Sequence, residues 1–556
     1  MDRWQIAAIA LAVGLLAASL YLRPPSSGKP VPNPQQSVRP IPAERTQIAD
    51  SATRDLPPPS IASKALTLRN DAVEIRVSNL GARVEGVELL QYRATVAPDS
   101  GPVELVTGES RGAMFLFLGP DPLRSLEAAP GEVVSEGPRH VELRASQGGV
   151  TVTRRLELDE SGYGGHMTVS IANASNETVR PKLELVLYGQ ERPAAAPDHF
   201  PRYSLVASVD GSVKRTPVAG VGSTGVVGSL LGRGPPTGAA YPSPVEWVGI
   251  DSQYFLLAAV AQNSREAAAF CGPLGADSGE ASLKIQPFEI PPGTHVERSY
   301  RLYFGPKIEE VVAAVDPQLS HAIDAGWAFV RPLVSAFAAL LHWTHDHVVA
   351  NYGVAIILLT ILVRVLTYPL TQRSMKSMKK FSLIAPQMKE IQEKHANDRD
   401  KLQEELMKLY RQKGMNPLAA MGGGCVPMII QMPVMIALYF AFQTSIDLRH
   451  APFALWIRDL SAPEDFFAIA GIPIRLLPLL MGGSMLLQQR LSPAPNADPQ
   501  QRQMMTLMSV MFTFMFYQFA SGLVLYWFVS NLLGIAQQLL VNRAPAPATT
   551  RSETTA

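Results

Sequence analysis

Long apolar stretches and strongly polar stretches follow one another along this chain, and most of the apolar ones lie in its last third. Residues 348–369 form the clearest apolar stretch, which is long enough to cross a bilayer core of about 30 Å as one helix. The stretch carries one full charge, Arg364. The same criterion predicts further spans, which gives six in all; the others are residues 1–22, 425–443, 472–489, 504–520 and 523–542.

Before residue 307 the pattern has a period of two, for example over residues 73–77 and 150–154. Such alternation puts one face of each strand on a core and the other in water. Residues 61–306 are therefore predicted to form a large antiparallel β-sandwich. The proline-rich residues 23–60 cannot bury a core and favour extended backbone, which predicts a tether between the first span and the sandwich.

Residues 307–347 have apolar positions at helical spacing and predict connecting helices, the second of them amphipathic and lying in the membrane surface. His342, His345 and His347 fall in this helix. A pair of histidines three residues apart can share a metal ion, whereas histidines at a membrane surface need none. The pattern favours the second interpretation and predicts no metal site.

The first apolar stretch has two interpretations. Residues 1–22 fit a membrane span with Trp4 and Tyr21 at its two ends, where aromatic rings favour the interface. They could also form a cleaved signal peptide, with Arg3 as a short positive region. The stretch is long for a signal peptide and has no convincing cleavage site, so we predict a retained span.

Residues 371–413 carry an excess of lysine and arginine in a helical pattern that breaks near residues 395–398, which predicts a helical hairpin. Because loops rich in Lys and Arg stay in the cytoplasm, span 348–369 should run from outside to inside. The sandwich then lies outside and both termini lie inside, with residues 544–556 as a short disordered tail. The basic positions singled out are Lys376, Lys379, Lys380, Arg399 and Lys401.

A charge within a membrane span is expensive, so Arg364 needs either a partner or a way out. It precedes Tyr368 by four residues, about 6 Å of helix rise, and could reach the cytoplasmic surface with its long side chain. Alternatively, its side chain faces other spans. The sequence of this helix by itself leaves both interpretations open.

The composition excludes several classes of function. The formal net charge of +1 gives no whole-chain argument for nucleic acid, and two cysteines, Cys271 and Cys425, cannot form a disulfide framework. There is no GxxxxGK[ST] or HExxH pattern, hence no recognisable nucleotide or zinc-protease site. We predict a protein that is not an enzyme and has no cofactor.

The last two hundred residues contain a series of short motifs: residues 351–353 (NYG), 360–364 (TILVR), 368–371 (YPLT), 416–418 (NPL), 431–433 (QMP), 451–457 (APFALWI), 459–461 (DLS) and 521–527 (SGLVLYW). These motifs resemble the YidC/Oxa/Alb membrane protein insertases, and the whole plan resembles the Gram-negative YidC form. The resemblance implies an α-helical polytopic membrane domain, made of a five-helix insertase core and one N-terminal transmembrane helix, with a large antiparallel β-sandwich in the periplasm.

The resemblance also implies a function. Nascent hydrophobic chains would enter a hydrophilic groove and leave sideways into the lipid bilayer without nucleotide hydrolysis. The groove would contain Arg364, Thr360, Gln431, Tyr526 and Trp527. Nascent membrane proteins and lipid are the implied partners, with the Sec translocon and the ribosome, through the basic hairpin, as further candidates. A small-solute transporter or channel is the alternative, since it too would place a charge within a span.

The chain departs from the family pattern at two places. Residues 419–422 are inserted before Gly423, Gly424 and Cys425, so the start of the predicted span 425–443 differs from the pattern. The tail after Arg543 is short and nearly neutral, unlike the basic tails of some family members. Any ribosome contact is therefore expected at the hairpin of residues 371–413.

Overall fold

The alternating positions before residue 307 form strands in the computed structural model. It describes residues 64–105, 112–190, 203–218, 238–274, 278–324, 326–327, 329–395, 398–412, 426–469, 472–491 and 499–543. The predicted first span 1–22, the tether 23–60 and the tail 544–556 lie outside the described residues, as does Cys425.

The strands are β1 (Ala65–Arg69), β2 (Val73–Ser78), β3 (Val84–Arg93), β4 (Pro102–Glu104), β5 (Met114–Phe117), β6 (Glu132–Glu136), β7 (His140–Gln147), β8 (Val150–Leu158), β9 (Gly164–Asn173), β10 (Glu184–Gln190), β11 (Ser204–Val209), β12 (Ser212–Pro217), β13 (Ala239–Tyr241), β14 (Val245–Asp251), β15 (Phe255–Ala261), β16 (Ala267–Pro273), β17 (Ser278–Ile285), β18 (Thr294–Pro306), β19 (Phe467–Ile469) and β20 (Ile472–Ile474). The last two pair with each other alone, and the others build two large sheets.

One sheet has the order β1-β2-β3-β5-β10-β17-β16-β13 with β4 beside β3, and the other has the order β12-β11-β14-β15-β18-β9-β8-β7-β6. Neighbouring strands are antiparallel; β8 and β9, for example, pair Val150 with Asn173 and Leu158 with Gly165. Apolar side chains of both sheets form one buried cluster that includes Ile75, Trp247 and Phe304. The predicted antiparallel sandwich is confirmed.

One charged side chain lies on the core side of β8. Arg154 follows the buried positions Val150 and Val152 in the alternation and is itself buried. Its guanidinium donates to the carbonyl oxygen of Leu126 (2.9 Å), and burial lowers the pKa of Arg154 to about 10 although the nearby charge of Glu127 opposes the shift. A charged residue can occupy this core-facing position of the strand because its guanidinium is hydrogen-bonded.

The helices are α1 (Leu123–Glu127), α2 (Glu309–Val315), α3 (Arg331–His347), α4 (Tyr352–Lys394), α5 (Arg399–Gln412), α6 (Val426–Thr444), α7 (Leu476–Leu491), α8 (Pro499–Phe516) and α9 (Ser521–Arg543). Within the described parts of the chain, Tyr352–Pro369 and Ser521–Arg543 are long and apolar enough to cross a membrane, and Gln503–Phe516 is a shorter apolar helix. Helices α4, α6, α7, α8 and α9 form the predicted five-helix membrane domain.

Helix α4 starts at a cap that also fixes a loop. The Asn351 side chain accepts a hydrogen bond from the Val354 amide and donates to the Phe453 carbonyl oxygen (2.9 Å). A Cβ at residue 353 would lie 2.1 Å from a ring carbon of Phe453, so only glycine fits there. The residues Asn351 and Gly353 thus hold the loop after α6 against the start of α4.

The membrane helices share a core with the helix before them. Val334, Phe337 and Leu341 of α3 join buried residues of α4, α6, α7 and α9 in one cluster. After α6, the guanidinium of Arg449 donates to the backbone carbonyl oxygens of Arg93 and Ala94 and lies over the Phe255 ring. This contact joins the membrane domain to the sandwich.

Candidate functional site

Arg364 is held by a single residue of another helix. Its Nε donates to Ser530 Oγ (3.0 Å), and its Nη2 donates to the same hydroxyl (2.7 Å) and to the Ser530 carbonyl oxygen (2.6 Å). Ser530 lies about 13 Å along α9 from Ser521, at a rise of 1.5 Å per residue. The side chain therefore points from α4 across to the middle of α9 and is half-buried there.

Helices α4 and α9 run parallel in a fixed register. Arg364 meets Ser530, and seven residues later Thr371 and Gln537 form a hydrogen bond (3.0 Å); both pairs are 166 positions apart in the chain. A Cβ on Gly522 would lie 3.2 Å from the Ile356 side chain, and these two residues are also 166 positions apart in the chain. Because this spacing is close to two helical turns, the same faces of the two helices meet along their length.

The polar contacts continue from α9 to α7. Asn531 Nδ2 donates to Ser484 Oγ (3.0 Å), and both side chains are buried. A Cβ on Gly534 would lie 3.0 Å from Gln488 Nε2 and 3.4 Å from Arg364 Nη2, so the amide and the guanidinium flank the same glycine. A layer of polar groups thus crosses helices that are otherwise apolar.

Gln431 of α6 extends this layer on the other side. Its Nε2 donates to the hydroxyl oxygen of Tyr526 on α9 (2.9 Å). Tyr526 is one helical turn before Ser530, hence on the same face of α9 as the partner of Arg364. Gln431 remains half-buried, whereas the Tyr526 side chain is almost wholly covered.

The two other residues implied by the resemblance have different surroundings. Thr360 is fully buried and its hydroxyl donates to the Ile356 carbonyl oxygen of its own helix (2.6 Å), so it does not join the hydrogen bonds of Arg364. Trp527 packs edge-on against Phe516 of α8, with ring centroids 4.6 Å apart. The structure therefore brings Arg364, Gln431 and Tyr526 to one polar layer and places Thr360 and Trp527 beside it.

The basic hairpin consists of the second half of α4 and the whole of α5. The two arms pack through Ile384, Met388 and Leu409. Lys376 and Lys401 are exposed, and Lys401 forms an ion pair with Asp398 (3.3 Å). The hydrogen bond from the Lys401 amide, followed by that from the Lys401 side chain, lowers the pKa of Asp398. The side chains of Lys379, Lys380 and Arg399 lie outside the described residues.

The histidines of α3 contact carboxylates and aromatic rings. His345 Nδ1 is 2.9 Å from Asp346 Oδ1, and the ring of His345 stacks on Tyr352. His342 is near both Asp346 and Asp447. In the part of the chain that the structure describes, no group of three or more His, Cys, Asp or Glu side chains is arranged to hold a metal ion.

The sequence pattern does not single out four members of the polar layer, namely Ser484, Gln488, Ser530 and Asn531. Their common signal is a hydrogen-bonding side chain inside an apolar span, where polar groups commonly join helices. The sequence shows these residues, but it does not show which faces of different spans meet. Arg364 stands out in the sequence because a charge within a span is a stronger anomaly than an uncharged polar group.

Known proteins resemble the chain over its whole length. Residues 343–548 match the sequence profile of the 60Kd inner membrane protein family, and residues 65–337 match that of the YidC periplasmic domain. The membrane protein insertase YidC of Geotalea daltonii is 31% identical over 98% of this chain and 99% of its own. The chain belongs to the YidC membrane protein insertase family.

Two further comparisons describe the relationship. The membrane protein insertase YidC of Syntrophobacter fumaroxidans is 35% identical over 83% of both chains. A solved active YidC insertase with its first transmembrane domain resolved has 17% identity and a TM-score of 0.36, covering 86% of this chain and 93% of its own. The two family matches and the sequence relatives confirm the resemblance predicted from the short motifs.

Membership of the YidC family assigns the two halves of the chain to their compartments. The sandwich falls in the part that matches the periplasmic domain, and the helices with the polar layer fall in the part that matches the inner membrane protein. This YidC-family chain is therefore an inner-membrane insertase with a periplasmic β-sandwich. Arg364, Gln431, Ser484 and Ser530 all lie within the inner-membrane match.

Proposed function

We propose that this chain receives the hydrophilic part of a nascent membrane protein in a groove around Arg364 and releases the apolar helix sideways into the lipid. The observation that carries the proposal is the direction of Arg364, whose hydrogen bonds all go to Ser530 in the middle of α9. A charge held inside the membrane domain is costly and calls for a function.

The bonding of the guanidinium leaves one nitrogen, Nη1 with its two N–H groups, for a substrate. Nε and Nη2 are used by Ser530, while Nη1 donates to no group among the described residues. Arginine carries five N–H donors in a planar fork, so a held guanidinium can still bind a passing carbonyl or carboxylate. Such a donor lowers the cost of bringing a polar segment out of water.

Gln431 and Tyr526 would form one wall of this groove, and Thr360 and Trp527 would support it. The Gln431 amide is half-buried and hydrogen-bonded, so it can exchange Tyr526 for a polar group of the incoming chain. Thr360 is buried and bonds within α4, and Trp527 packs against Phe516 of α8, so both would support the polar layer from behind. We propose the five residues Arg364, Thr360, Gln431, Tyr526 and Trp527 as the substrate site.

The driving force in this proposal is partition of the client helix into hydrocarbon. Transfer of apolar surface from water is favourable by about 25 cal/mol per Å². A groove that shortens the path of the polar segment through hydrocarbon needs only to lower the barrier to its translocation. The free energy of insertion comes from the transfer of the apolar helix into lipid. Nucleotide hydrolysis and a cofactor have no part in the step. The same surface would act as a chaperone by holding a client helix before release.

The proposed orientation places both termini and the basic hairpin in the cytoplasm. The positive residues of α4 and α5 favour that side, and the sandwich lies on the other. Nascent membrane proteins and the lipid bilayer are then the partners of the groove. We propose the ribosome as a partner of the hairpin, and the Sec translocon as a partner for clients with large translocated domains.

The proposal is tested by Arg364→Ala and Arg364→Lys in liposomes that contain the purified full-length chain. We expect Arg364→Ala to lower insertion of a small single-span substrate with a polar translocated tail by about tenfold, or about 1.4 kcal/mol. Arg364→Lys keeps the charge but loses the planar fork. Its insertion rate should therefore lie between that of the unmodified chain and that of Arg364→Ala.

The matched control is Arg490→Ala, which removes an exposed arginine from the end of α7. This variant should insert the substrate at the normal rate. Normal insertion by Arg364→Ala, at a normal amount of folded protein, would contradict the groove. The alternative small-solute transporter is tested in the same vesicles, because it requires solute movement when no nascent chain is present.

A further inference from the structure

The hairpin β19–β20, between α6 and α7, consists of apolar residues only. Residues 466–474 read FFAIAGIPI and contain no polar side chain, while Glu464 and Asp465 precede them and Arg475 follows. Strand β19 is exposed along its whole length, with Phe467 46% and Ile469 59% exposed. A two-stranded hairpin is at best marginally stable in water, and one that exposes apolar side chains on both faces needs an apolar environment.

The base of the hairpin is fixed to the membrane helices. The Glu464 carboxylate is buried and accepts hydrogen bonds from Trp456 Nε1 and from the Leu477 amide at the start of α7. The Arg475 guanidinium donates to the Tyr517 carbonyl oxygen just after α8. The hairpin therefore projects from a rigid support.

Its contacts place the hairpin level with the ends of the membrane helices. Pro473, in β20, accepts a hydrogen bond from the Tyr517 hydroxyl (2.6 Å) next to the end of α8. Ser521, the first residue of α9, donates to the Asp459 carbonyl oxygen (2.6 Å) in the same loop. The start of α4 is tied to this loop through Asn351 and Phe453. The hairpin thus lies on the sandwich side, at the depth where the membrane-spanning helices end.

The apolar surface of the hairpin continues into the outer face of α7. Leu479 and Leu480, in the first turns after the hairpin, are exposed large apolar residues of a membrane helix. Phe466 also packs against Trp456, with ring centroids 5.0 Å apart, in an aromatic group of the kind found at membrane interfaces. The surface next to the hairpin is thus the surface that faces lipid.

We propose that the β19–β20 hairpin is a membrane anchor that lies in the headgroup and acyl boundary of the leaflet on the sandwich side. It fixes the depth of the loop between α6 and α7, and through Glu464 and Arg475 it fixes the ends of α7 and α8. The occupant of this surface is lipid, because the surface is apolar on both faces and continuous with the lipid-facing side of α7.

The test places a fluorophore on each face of β19. The full-length chain with Cys271→Ala and Cys425→Ala receives Ala468→Cys or Ile469→Cys, is labelled with an environment-sensitive dye and is reconstituted into liposomes. Adjacent strand residues point to opposite faces, so the two labels report on both. Quenching by a lipid with a nitroxide near its headgroup is compared with quenching by aqueous iodide.

Two labels calibrate the measurement. Leu479→Cys on α7 gives the value for lipid, and Gln147→Cys at the exposed end of β7 gives the value for water. We expect both hairpin labels to be quenched by the nitroxide lipid several-fold more than the label at residue 147, and to be protected from iodide. Iodide quenching as strong as at residue 147 for either label would overturn the anchor. Protection from both quenchers would also overturn it, because another protein surface would then cover the hairpin.

Discussion

The direction of Arg364 depends on the side chain and backbone of one small residue. Ser530 offers a hydroxyl and a carbonyl oxygen to the guanidinium, and Gly534 one turn later leaves room for it. The sequence shows these residues as a pair of small side chains four positions apart, which is a weak signal for helix packing. It could not show that Arg364 lies between them, since that depends on the register of α4 against α9.

Gly534 provides a test that keeps the charge in place. A Cβ at this position would lie 3.0 Å from Gln488 Nε2, a flexible side chain that can move by a few tenths of an ångström. We therefore expect Gly534→Ala to insert substrate nearly normally. Gly534→Leu should displace both Gln488 and Arg364 and reduce insertion about tenfold, because overpacking of this kind typically costs about 1–3 kcal/mol.

The measurement is the insertion rate of the small single-span substrate in liposomes, with thermal unfolding of each variant in detergent as a control for folding. Leu532→Ala on the exposed side of α9 is the comparison, since it changes the same helix away from the polar layer. Gly534→Leu inserting at the normal rate would show that the space around Arg364 is not used by substrate.

Helix α4 combines two elements that the sequence pattern predicts as separate. The span 348–369 and the first arm of the hairpin are one continuous helix, Tyr352–Lys394, which passes through Pro369 and Pro386. Proline is tolerated in membrane helices where Ser or Thr side chains bind freed backbone groups. Thr367 and Thr371, which flank Pro369 in the sequence, donate to the carbonyl oxygens of Val363 and Thr367 in the turns before it.

The residues just before α7 form a strand, although the sequence pattern predicts them as part of a helix. An apolar run does not distinguish a buried helix from a strand, so the pattern includes residues 472–474 in the predicted span 472–489. In the structure these residues pair with Phe467–Ile469 and the helix begins at Leu476. The pairing partner lies several residues upstream and carries no charge to mark it.

The exposed charges of the hairpin allow a test of the proposed ribosome contact. Lys376→Glu combined with Lys401→Glu should weaken co-sedimentation with ribosomes. The negative slope of the logarithm of the binding constant against the logarithm of the salt concentration should become shallower by about one for each lost phosphate contact. The effect arises because RNA phosphates are bound through release of counterions. Binding is measured over a series of salt concentrations with full-length protein in detergent.

Lys214→Glu provides the control, since it makes the same change of charge on an exposed residue of the periplasmic sandwich. That variant should bind ribosomes as the unmodified chain does. Equal loss of binding for the hairpin variant and for the sandwich variant would mean that net charge, and not the hairpin, determines the affinity.

At the scale of the whole molecule, the two parts of the chain differ in how far the sequence predicts them. The sandwich follows from local alternation, as in β8, where the apolar residues of the strand face the core. The polar layer of the membrane domain joins α4, α6, α7 and α9 through pairs such as Gln431–Tyr526 and Asn531–Ser484. No local pattern encodes such pairs, because they depend on tertiary packing of distant spans.

The proposed groove requires that the polar part of a client passes through this layer. The most direct measurement places a photo-crosslinking amino acid at residue 431, 488 or 527 and, as a comparison, at residue 366, where Leu366 is one of the most exposed apolar residues of α4. The target is a stalled nascent membrane protein whose translocated segment is polar. We predict crosslinks from residues 431 and 488 to the polar segment, weaker ones from residue 527 and none from residue 366. Crosslinks from residue 366 alone, or none from residues 431 and 488, would contradict the account.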